Sequence, residues 1–346
     1  MDLDCKKIGI FTLTDALNYG AFYQMYGLQQ YLKDANGDVV VYSPSLSMVG
    51  ELKKYFAFSF KRMLRKALLR KAYNIDGKSV VIRNYRGEEL DIAIFGSDEI
   101  WNVDNKSFEN SSLFFGCNVR AKLKIAYAPS VGYAQKSSFD KILDFRDGLR
   151  SLDKILYRDS LTKEVVFEQT GIIAQRVVDP TILYDKWEKH FSSKRRLSYE
   201  KYIVYYSYIS DPPFLDVMKE FAEHQGYSII SAGYNVHNWA DENLVLGPWD
   251  FLSLLKHAEC IFTTTFHGTI MSTLLEKIVF FSPSGQKVRD FAKLCGIENN
   301  QIDSTSQLDS LVEIVRTFSI EEILKTKNKL KANSREILKG SIFKNE

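Results

Sequence analysis

Proline and glycine are scarce in this sequence, and the 7 prolines and 19 glycines among 346 residues argue against a linker-rich or low-complexity chain. No apolar run reaches the roughly 18 residues that a membrane-spanning helix needs. The first residues, MDLDCKK, have neither a basic segment nor a long apolar core, so we expect no secretory signal peptide and a cytoplasmic protein. The hydrophobic fraction of 45% and the charged fraction of 26% are typical of a globular protein.

Clusters of metal-binding or disulfide-forming residues are also missing. The four cysteines stand apart without CxxC spacing, which predicts reduced thiols and no metal site. They are Cys5, Cys117, Cys260 and Cys295. The net charge of +3 is too small to imply a nucleic-acid partner. The absence of GxxxxGKS/T, HExxH, GxSxG and GxGxxG motifs excludes the usual P-loop, zinc-protease, hydrolase and dinucleotide-binding sites, so we expect no bound cofactor.

Short apolar runs alternate with helical patterns in two successive blocks, and the length exceeds the roughly 150 residues of one ordinary domain. The pattern predicts an α/β protein with two Rossmann-like domains that face a cleft, divided between residues 188 and 189. The predicted strands are Lys7–Leu13, Asp38–Tyr42, Leu90–Phe95, Lys124–Ala128, Ile155–Tyr157, Tyr202–Ser207, Tyr227–Ala232, Cys260–Thr264 and Ile278–Phe281. The predicted helices are Ala21–Lys33, Pro213–Gln225, Pro248–His257, Gly268–Glu276 and a charged terminal helix over 320–340. Ligands in such folds bind beyond the carboxyl ends of the strands, so the residues there are the candidates.

The segment Thr265-Phe266-His267-Gly268-Thr269 lies between an apolar strand and an apolar helix. His267 is therefore expected at a helix N-terminus, where backbone N–H groups favour an anion and a protonated imidazole could act as an acid. Thr265, Gly268 and Thr269 are expected to help to bind that anion, since Gly268 allows close approach of the backbone. The alternative is a capping or core histidine.

A second candidate segment, Gly96 to Asn102, follows the predicted strand Leu90–Phe95. Ser97, Asp98 and Asn102 would project at the strand end, and Trp101 would offer a flat apolar face that suits a sugar ring. The alternative is a helix N-cap beside a packed tryptophan.

Two further strand ends carry cations. Arg158 follows Ile155–Tyr157 and could bind a phosphate or carboxylate through two hydrogen bonds, or could form a local surface pair with Asp159. Lys287 and Arg289, in the predicted loop Ser282–Arg289, could reach the same anion or be solvated.

Together, these segments resemble the polysaccharide pyruvyltransferase family over roughly Lys7 to Gly296. Each piece is weak by itself, but six pieces in the right order are specific. They are Leu17–Ala21 (LNYGA), Gly96–Asn102 (GSDEIWN), Ala126–Gly132 (AYAPSVG), Tyr157–Ser160 (YRDS), Val178–Thr181 (VDPT) and Thr265–Thr269 (TFHGT).

The resemblance implies a fold similar to GT-B glycosyltransferases, phosphoenolpyruvate as donor, and a sugar of a cell-surface glycan precursor as acceptor. The product would be a pyruvate ketal that bridges two hydroxyls. His267 would be the general acid, and Arg158 and Lys287 would bind the donor. Many members carry arginine two residues before the histidine, where this chain has Thr265, and Arg289 is the candidate to supply the missing contact.

The acceptor side is assigned to residues at the ends of the first-domain strands. Asp98, Asp15 or Asn18 could orient or deprotonate the sugar hydroxyls, and Asp98 ranks first because it follows a strand end. Gly20, Ser97, Trp101 and Asn102 complete the expected acceptor site.

Two other functions remain open at the level of sequence. A GT-B glycosyltransferase that uses a nucleotide sugar would need an acidic residue for the ribose, and Glu276 is the nearest candidate. A glycan-binding protein without catalytic activity could use the same fold.

Residues 58–73 (FSFKRMLRKALLRKAY) read as a basic amphipathic helix with its apolar stripe on Phe60, Met63, Leu64, Ala67 and Leu68. The pattern predicts either a surface helix whose stripe packs on the first domain, or a peripheral contact with the inner face of the membrane, where a lipid-linked acceptor would be carried.

Overall fold

A computed structural model of the chain describes residues 1–14, 18–43, 60–76, 80, 82–105, 111–191, 200–283 and 285–343. The predicted acceptor residue Asp15, and residues 58 and 59 of the predicted basic helix, lie outside these ranges.

The first sheet has seven parallel strands in the order β3-β2-β1-β4-β5-β6-β7. Its strands are β1 Lys7–Phe11, β2 Asp38–Tyr42, β3 Ile82–Arg83, β4 Leu90–Phe95, β5 Ala121–Tyr127, β6 Lys154–Tyr157 and β7 Gln175–Arg176. The helices in this part are α1 Tyr19–Lys33, α2 Phe60–Asp76, α3 Leu143–Arg150, α4 Ser160–Thr170 and α5 Pro180–Leu183. Short 3-10 helices cover Ser112–Phe115, Lys136–Lys141 and Trp187–His190.

The second sheet has five parallel strands in the order β10-β9-β8-β11-β12. Its strands are β8 Tyr202–Tyr206, β9 Ser228–Ala232, β10 Glu242–Leu244, β11 Cys260–Thr263 and β12 Ile278–Phe281. The remaining helices are α6 Leu215–Gln225, α7 Pro248–His257, α8 Phe266–Leu274, α9 Gln286–Cys295, α10 Leu308–Thr317 and α11 Ile320–Phe343, with a 3-10 helix at Glu298–Asn300. Strands β8, β11 and β12 are buried at every residue, which is typical of parallel strands that are covered on both faces.

The predicted fold class is confirmed: two Rossmann-like sheets alternate strand and helix along the chain. The residue at which one domain ends and the next begins stays a prediction. Some local boundaries differ from the prediction. α8 begins at Phe266 instead of Gly268, because the side chain of Thr265 caps it. The predicted loop Ser282–Arg289 becomes helical from Gln286, where an amphipathic run packs Val288 and Phe291 into the core.

Helix α1 joins the two halves of the molecule. Its Tyr19 ring is stacked on Phe251 of α7 with 3.9 Å between ring centroids, and the Tyr19 hydroxyl donates to the Leu246 carbonyl at 2.8 Å. The largest hydrophobic cluster contains buried residues of both sheets, such as Ile10 and Val204. The carboxyl edges of the sheets therefore meet across a well-packed interface.

The basic helix α2 does not pack its predicted apolar stripe on the first domain, which was one of the two alternatives. Leu64 and Leu68 of the predicted apolar stripe are about half exposed, at 53% and 49%, whereas Leu69 and Tyr73 are buried. The reason is that Arg65 faces the second domain, where it donates to the carbonyls of Gly233 at 2.9 Å and Asn243 at 3.2 Å. The helix thus lies across both domains with its Arg65 side inward.

Candidate functional site

The candidate residues converge where the two sheets change direction. In the first sheet, β2 and β3 are added on one side of β1, and the chain then crosses to the other side of β1 with β4. In the second sheet, β9 and β10 lie on one side of β8, and β11 lies on the other. Such switch points leave a crevice beyond the carboxyl ends of the strands. The hydroxyls of Ser207, after β8, and Thr264, after β11, are 2.5 Å apart and join the two strand ends of the second sheet.

His267 lies in the first turn of α8 and is 8% exposed. Its imidazole lies directly against Gly20 of α1: a Cβ atom added to Gly20 would be 2.1 Å from Nδ1 of His267. Asn18 caps α1, because its side-chain oxygen accepts from the Gly20 N–H at 2.8 Å. Two helix N-termini, one from each domain, therefore meet at this imidazole, and both present partial positive charge.

Asp179 is the acidic partner in the site. Its Oδ2 accepts a hydrogen bond from Arg158 and lies 3.6 Å from Nε2 of His267, while its Oδ1 accepts from the backbone N–H and hydroxyl of Thr181. Burial raises the pKa of this carboxyl, but His267 and Arg158 outweigh burial and hold it well below its usual range. Asp179 is therefore ionised and attracts the positive charge of a protonated imidazole.

Arg158 is buried, and its guanidinium lies over the Phe266 ring, 4.7 Å from the centroid. Its Nη2 is 3.7 Å from Oδ1 of Asp98. The local pair with Asp159 is not what the structure shows, since Asp159 caps α4 by accepting from Thr162. Within the described part of the chain, nothing accepts a hydrogen bond from Nε or Nη2 of Arg158, and Nε2 of His267 likewise has no hydrogen-bond partner. Buried donors of this kind are costly unless an acceptor binds them, so they indicate an anion site.

Lys287 approaches the same place from α9. Its ammonium pairs with Glu99 of the first domain and lies 5.3 Å from the centroid of the Phe266 ring. Asn102 donates to the other oxygen of Glu99 at 2.7 Å. Burial raises the pKa of Glu99, but Lys287 and Asn102 lower it overall, so the carboxylate is charged. Lys287 and Arg158 thus lie against one aromatic ring, with Glu99 holding the lysine across the interface.

Asp98 lies three residues after the end of β4 and is 7% exposed, with a positive φ of 71°. Its Oδ1 accepts the Glu99 N–H at 2.8 Å. Burial, and to a smaller extent the charge of Asp98, raise the pKa of Tyr206 at the end of β8. The Asp98 carboxylate thus lies near the Arg158 cation and acts electrostatically on a tyrosine of the second domain.

Several residues that were predicted to contact the acceptor are packed in the protein interior. Trp101 was expected to face a sugar, but it is fully buried, packs against Phe145 and donates its indole N–H to the Phe114 carbonyl at 2.9 Å. Ser97 is also fully buried and donates to Gln24 at 2.8 Å. Neither side chain presents a surface to a ligand.

Four other predicted site residues do not direct their side chains at the anion site either. Arg289 is exposed on α9, and because residues two apart on a helix face different directions, it does not share the side of Lys287. Asn18 and Thr265 are helix N-caps, and Thr265 accepts from the Gly268 N–H at 2.9 Å. Thr269 lies within α8 and donates to the Thr265 carbonyl at 3.1 Å.

Sequence reasoning missed two residues of the site, Asp179 and Glu99. Both lie within segments that carry the family resemblance, but no spacing rule shows that residues so far apart in sequence will meet. An acid before a Pro-Thr pair at a strand end is the signal of a helix cap, and Asp179 does cap α5. Its second contact, with Arg158 and His267, depends on the tertiary fold.

The described residues contain no cluster of three or more His, Cys, Asp or Glu that could hold a metal ion. Across the same ranges, no helix is both long enough and apolar enough to cross a bilayer.

Comparison with known proteins agrees with the geometry. A sequence model of the family described as polysaccharide pyruvyl transferase matches residues 18–281. No curated protein matches.

Among solved structures, one similar chain is a Listeria monocytogenes protein provisionally assigned as a UDP-N-acetylglucosamine 2-epimerase, with 10% identity, coverage of 98% of this chain and 97% of that one, and a TM-score of 0.56. A Methanocaldococcus jannaschii UDP-GlcNAc 2-epimerase in complex with UDP-GlcNAc and UDP has 11% identity, coverage of 96% and 100%, and a TM-score of 0.53. The glycotransferase of kitacinnamycin has 10% identity, coverage of 95% and 96%, and a TM-score of 0.50. At such identities the likeness shows the fold alone, and that fold is of the GT-B type.

Proposed function

Since this chain belongs to the polysaccharide pyruvyl transferase family, a family of transferases, we propose that it transfers the enolpyruvyl group of phosphoenolpyruvate to two hydroxyls of a glycan-precursor sugar and forms a pyruvate ketal. The observation that carries the proposal is that buried hydrogen-bond donors of Arg158 and His267, beside two helix N-termini, have no acceptor in the described residues. Phosphoenolpyruvate is a small dianionic or trianionic molecule with a phosphate and a carboxylate. Such charges need fixed cations and backbone N–H groups in a site that excludes water.

Arg158 is the main residue that binds phosphoenolpyruvate in this proposal. Its Nε and Nη2 form one edge of the guanidinium, the geometry that binds a carboxylate or phosphate through two parallel hydrogen bonds. Asp179 accepts from Nη1 and so orients the guanidinium. Lys287 supplies a second positive charge once it leaves Glu99.

His267 then acts as the acid. It gives a proton from its ring to the methylene carbon of phosphoenolpyruvate while a sugar hydroxyl adds to the central carbon, and Asp98 accepts the proton of that hydroxyl. The bond from the central carbon to the phosphate oxygen breaks, and inorganic phosphate leaves. The second hydroxyl adds to the same carbon and loses its proton, which closes the ketal. The ionised Asp179 stabilises the imidazolium before transfer.

We place the acceptor against tyrosines, since Trp101 is buried. The ends of β8 and β9 present an aromatic surface beside Asp98, which suits the apolar face of a sugar ring. Its members are Tyr208, which is 43% exposed, and the partly exposed Tyr234. Replacement of the half-exposed Tyr208 by alanine is expected to raise the KM of the acceptor and leave that of phosphoenolpyruvate unchanged. Tyr133→Ala, at an exposed tyrosine of the first domain, is the control.

A nucleotide-sugar transferase is the second candidate, because UDP is bound by a structural neighbour. Glu276, the acid that the sequence offered for the ribose, is ion-paired with Lys327 at 3.3 Å and lies after α8, at the amino edge of the second sheet. It is thus on the opposite edge from His267, which disfavours this candidate.

The deciding experiment measures phosphate release from phosphoenolpyruvate across a panel of lipid-linked and nitrophenyl hexosides, with UDP release from UDP-sugars measured in parallel. We expect phosphate release and a ketal product, and a melting temperature that rises with phosphoenolpyruvate but not with UDP-sugars. UDP release would instead support the glycosyltransferase, and binding of neither donor would support a glycan-binding protein without catalytic activity.

A further inference from the structure

The face of α2 that points away from the domains carries exposed leucines. Leu64 and Leu68 are one helical turn apart and about half exposed, and Ala67 between them is also exposed. The opposite face is fixed in place by Arg65, Leu69 and Tyr73. The apolar stripe is therefore held outward by the interactions of the inner face.

Two segments close to α2 also carry exposed apolar side chains. Arg65 donates to the carbonyls of Gly233 and Asn235, and Asn235 donates to the carbonyl of Tyr208 at 3.4 Å. Exposed apolar side chains occur on both of these neighbouring segments. Of the ten large apolar side chains exposed in the described ranges, five lie on α2 and the two segments that it contacts. They are Leu64, Leu68, Tyr208, Ile209 and Val236.

The charge of α2 itself is almost entirely positive. The sequence of α2, FKRMLRKALLRKAYNID, has six basic residues and one acid, and the acid is at the C-terminal end. Lys66 lies 4.8 Å from the centroid of the Tyr234 ring, and Lys71 is exposed. Exposed leucines within a basic helix are the combination by which helices lie on anionic bilayers.

We propose that this face, which we call the α2 face and define by Leu64, Leu68, Lys71, Ile209 and Val236, docks on an anionic lipid surface. The apolar side chains enter the boundary between headgroups and acyl chains, and the basic residues contact lipid phosphates. Tyr208 belongs both to this region and to the proposed acceptor surface, so docking would bring a lipid-carried sugar next to Asp98. The docking itself does not depend on the proposed transfer reaction.

The test is co-sedimentation of the full chain with vesicles of three parts phosphatidylcholine and one part phosphatidylglycerol, in low salt and in about 0.5 M NaCl, where charges are screened within a few ångströms. The protein is expected to sediment with these vesicles in low salt, less in high salt, and not with pure phosphatidylcholine. The double variant Leu64→Asp/Leu68→Asp should lower the partition about tenfold or more, because it places charge where apolar contact is needed.

The matched control is Phe167→Asp/Ile173→Asp, which changes two exposed apolar residues of the first domain outside the α2 face. It should sediment like the wild type, and thermal melts should show both double variants folded. Failure of the wild type to bind anionic vesicles in low salt would overturn the proposal. So would equal binding by the Leu64/Leu68 variant, or a dimer in sedimentation velocity that this variant disperses, which would make the α2 face an interface between two copies.

Discussion

Gly20 and His267 come from different domains and touch: the imidazole occupies the space that any side chain at position 20 would fill, since a Cβ there would lie 2.1 Å from Nδ1. This close approach explains why a glycine follows Asn18-Tyr19 at the start of α1. The first domain therefore positions the acid of the second one, and the site exists only when the two domains are docked.

Gly20→Ala is expected to displace the His267 ring without unfolding the protein. Loss of a positioned acid typically costs about 10²–10⁴ in rate, and we expect kcat to fall by this order. Steady-state phosphate release measures it. Gly340→Ala, in α11 with open space around the added methyl group, is the control and should keep full activity. Normal turnover by Gly20→Ala would show that His267 can move freely or does not act.

Asp179→Asn should destabilise the protein at neutral pH by about 3–5 kcal/mol, because it removes the carboxylate that accepts a hydrogen bond from the buried Arg158 cation. The pKa of Asp179 is lowered in the folded state, so its contribution to stability is complete above the unfolded value of about 3.9 and is lost as the pH falls below it. Denaturant titrations should therefore show a difference between wild type and variant that is largest near neutrality and shrinks in acid. A constant difference would mean that Asp179 is not ionised in the folded protein.

Arg158→Lys keeps the charge but loses the paired donors of the guanidinium edge. We expect a rise in the KM of phosphoenolpyruvate of about tenfold or more, as for a lost charge-assisted hydrogen bond, with little change in the KM of the acceptor. Initial-rate kinetics with each substrate varied in turn measure this. An equal loss toward both substrates would assign Arg158 a structural role through Asp179.

Glu99→Gln should break the ion pair with Lys287 and free the lysine to bind phosphoenolpyruvate. Because the donor anion and Glu99 compete for one ammonium group in this account, the variant should bind phosphoenolpyruvate several-fold more tightly in calorimetric titration, whereas Lys287→Ala should bind it more weakly. Asp91→Asn, which breaks an exposed pair with Lys122, controls for the loss of a negative charge and should bind like the wild type. Weaker binding by Glu99→Gln would show that Glu99 orients Lys287 and does not compete for it.

The sequence predicted the architecture well because parallel strands and amphipathic helices are local patterns. Runs such as Tyr202–Tyr206 and Ile278–Phe281 are apolar throughout, and their ends fix which residues lie at the carboxyl edge. His267, Arg158, Lys287 and Asp98 all come together as the topology rule predicts.

What the sequence could not show is which way a side chain points after it leaves a strand. Trp101 and Ser97 lie in the predicted segment but turn into the core, and Glu99 between them turns to Lys287. For α2 the sequence left open whether the apolar stripe packs on the first domain or faces outward, and the contacts of Arg65 with distant carbonyls decide which face is inward. The contacts of Glu99 and of Arg65 join residues more than a hundred positions apart, and those of Trp101 and Ser97 also depend on the tertiary fold.

The most direct test of the central claim is to run the reaction in D₂O and analyse the ketal product by NMR and mass spectrometry. Proton transfer from His267 to the methylene carbon predicts a ketal methyl group with one deuterium from solvent, formed by wild type and by His257→Ala, at an exposed histidine, but hardly at all by His267→Ala. A product that keeps its methylene carbon, a methyl group without deuterium, or undiminished formation by a folded His267→Ala variant would contradict the account.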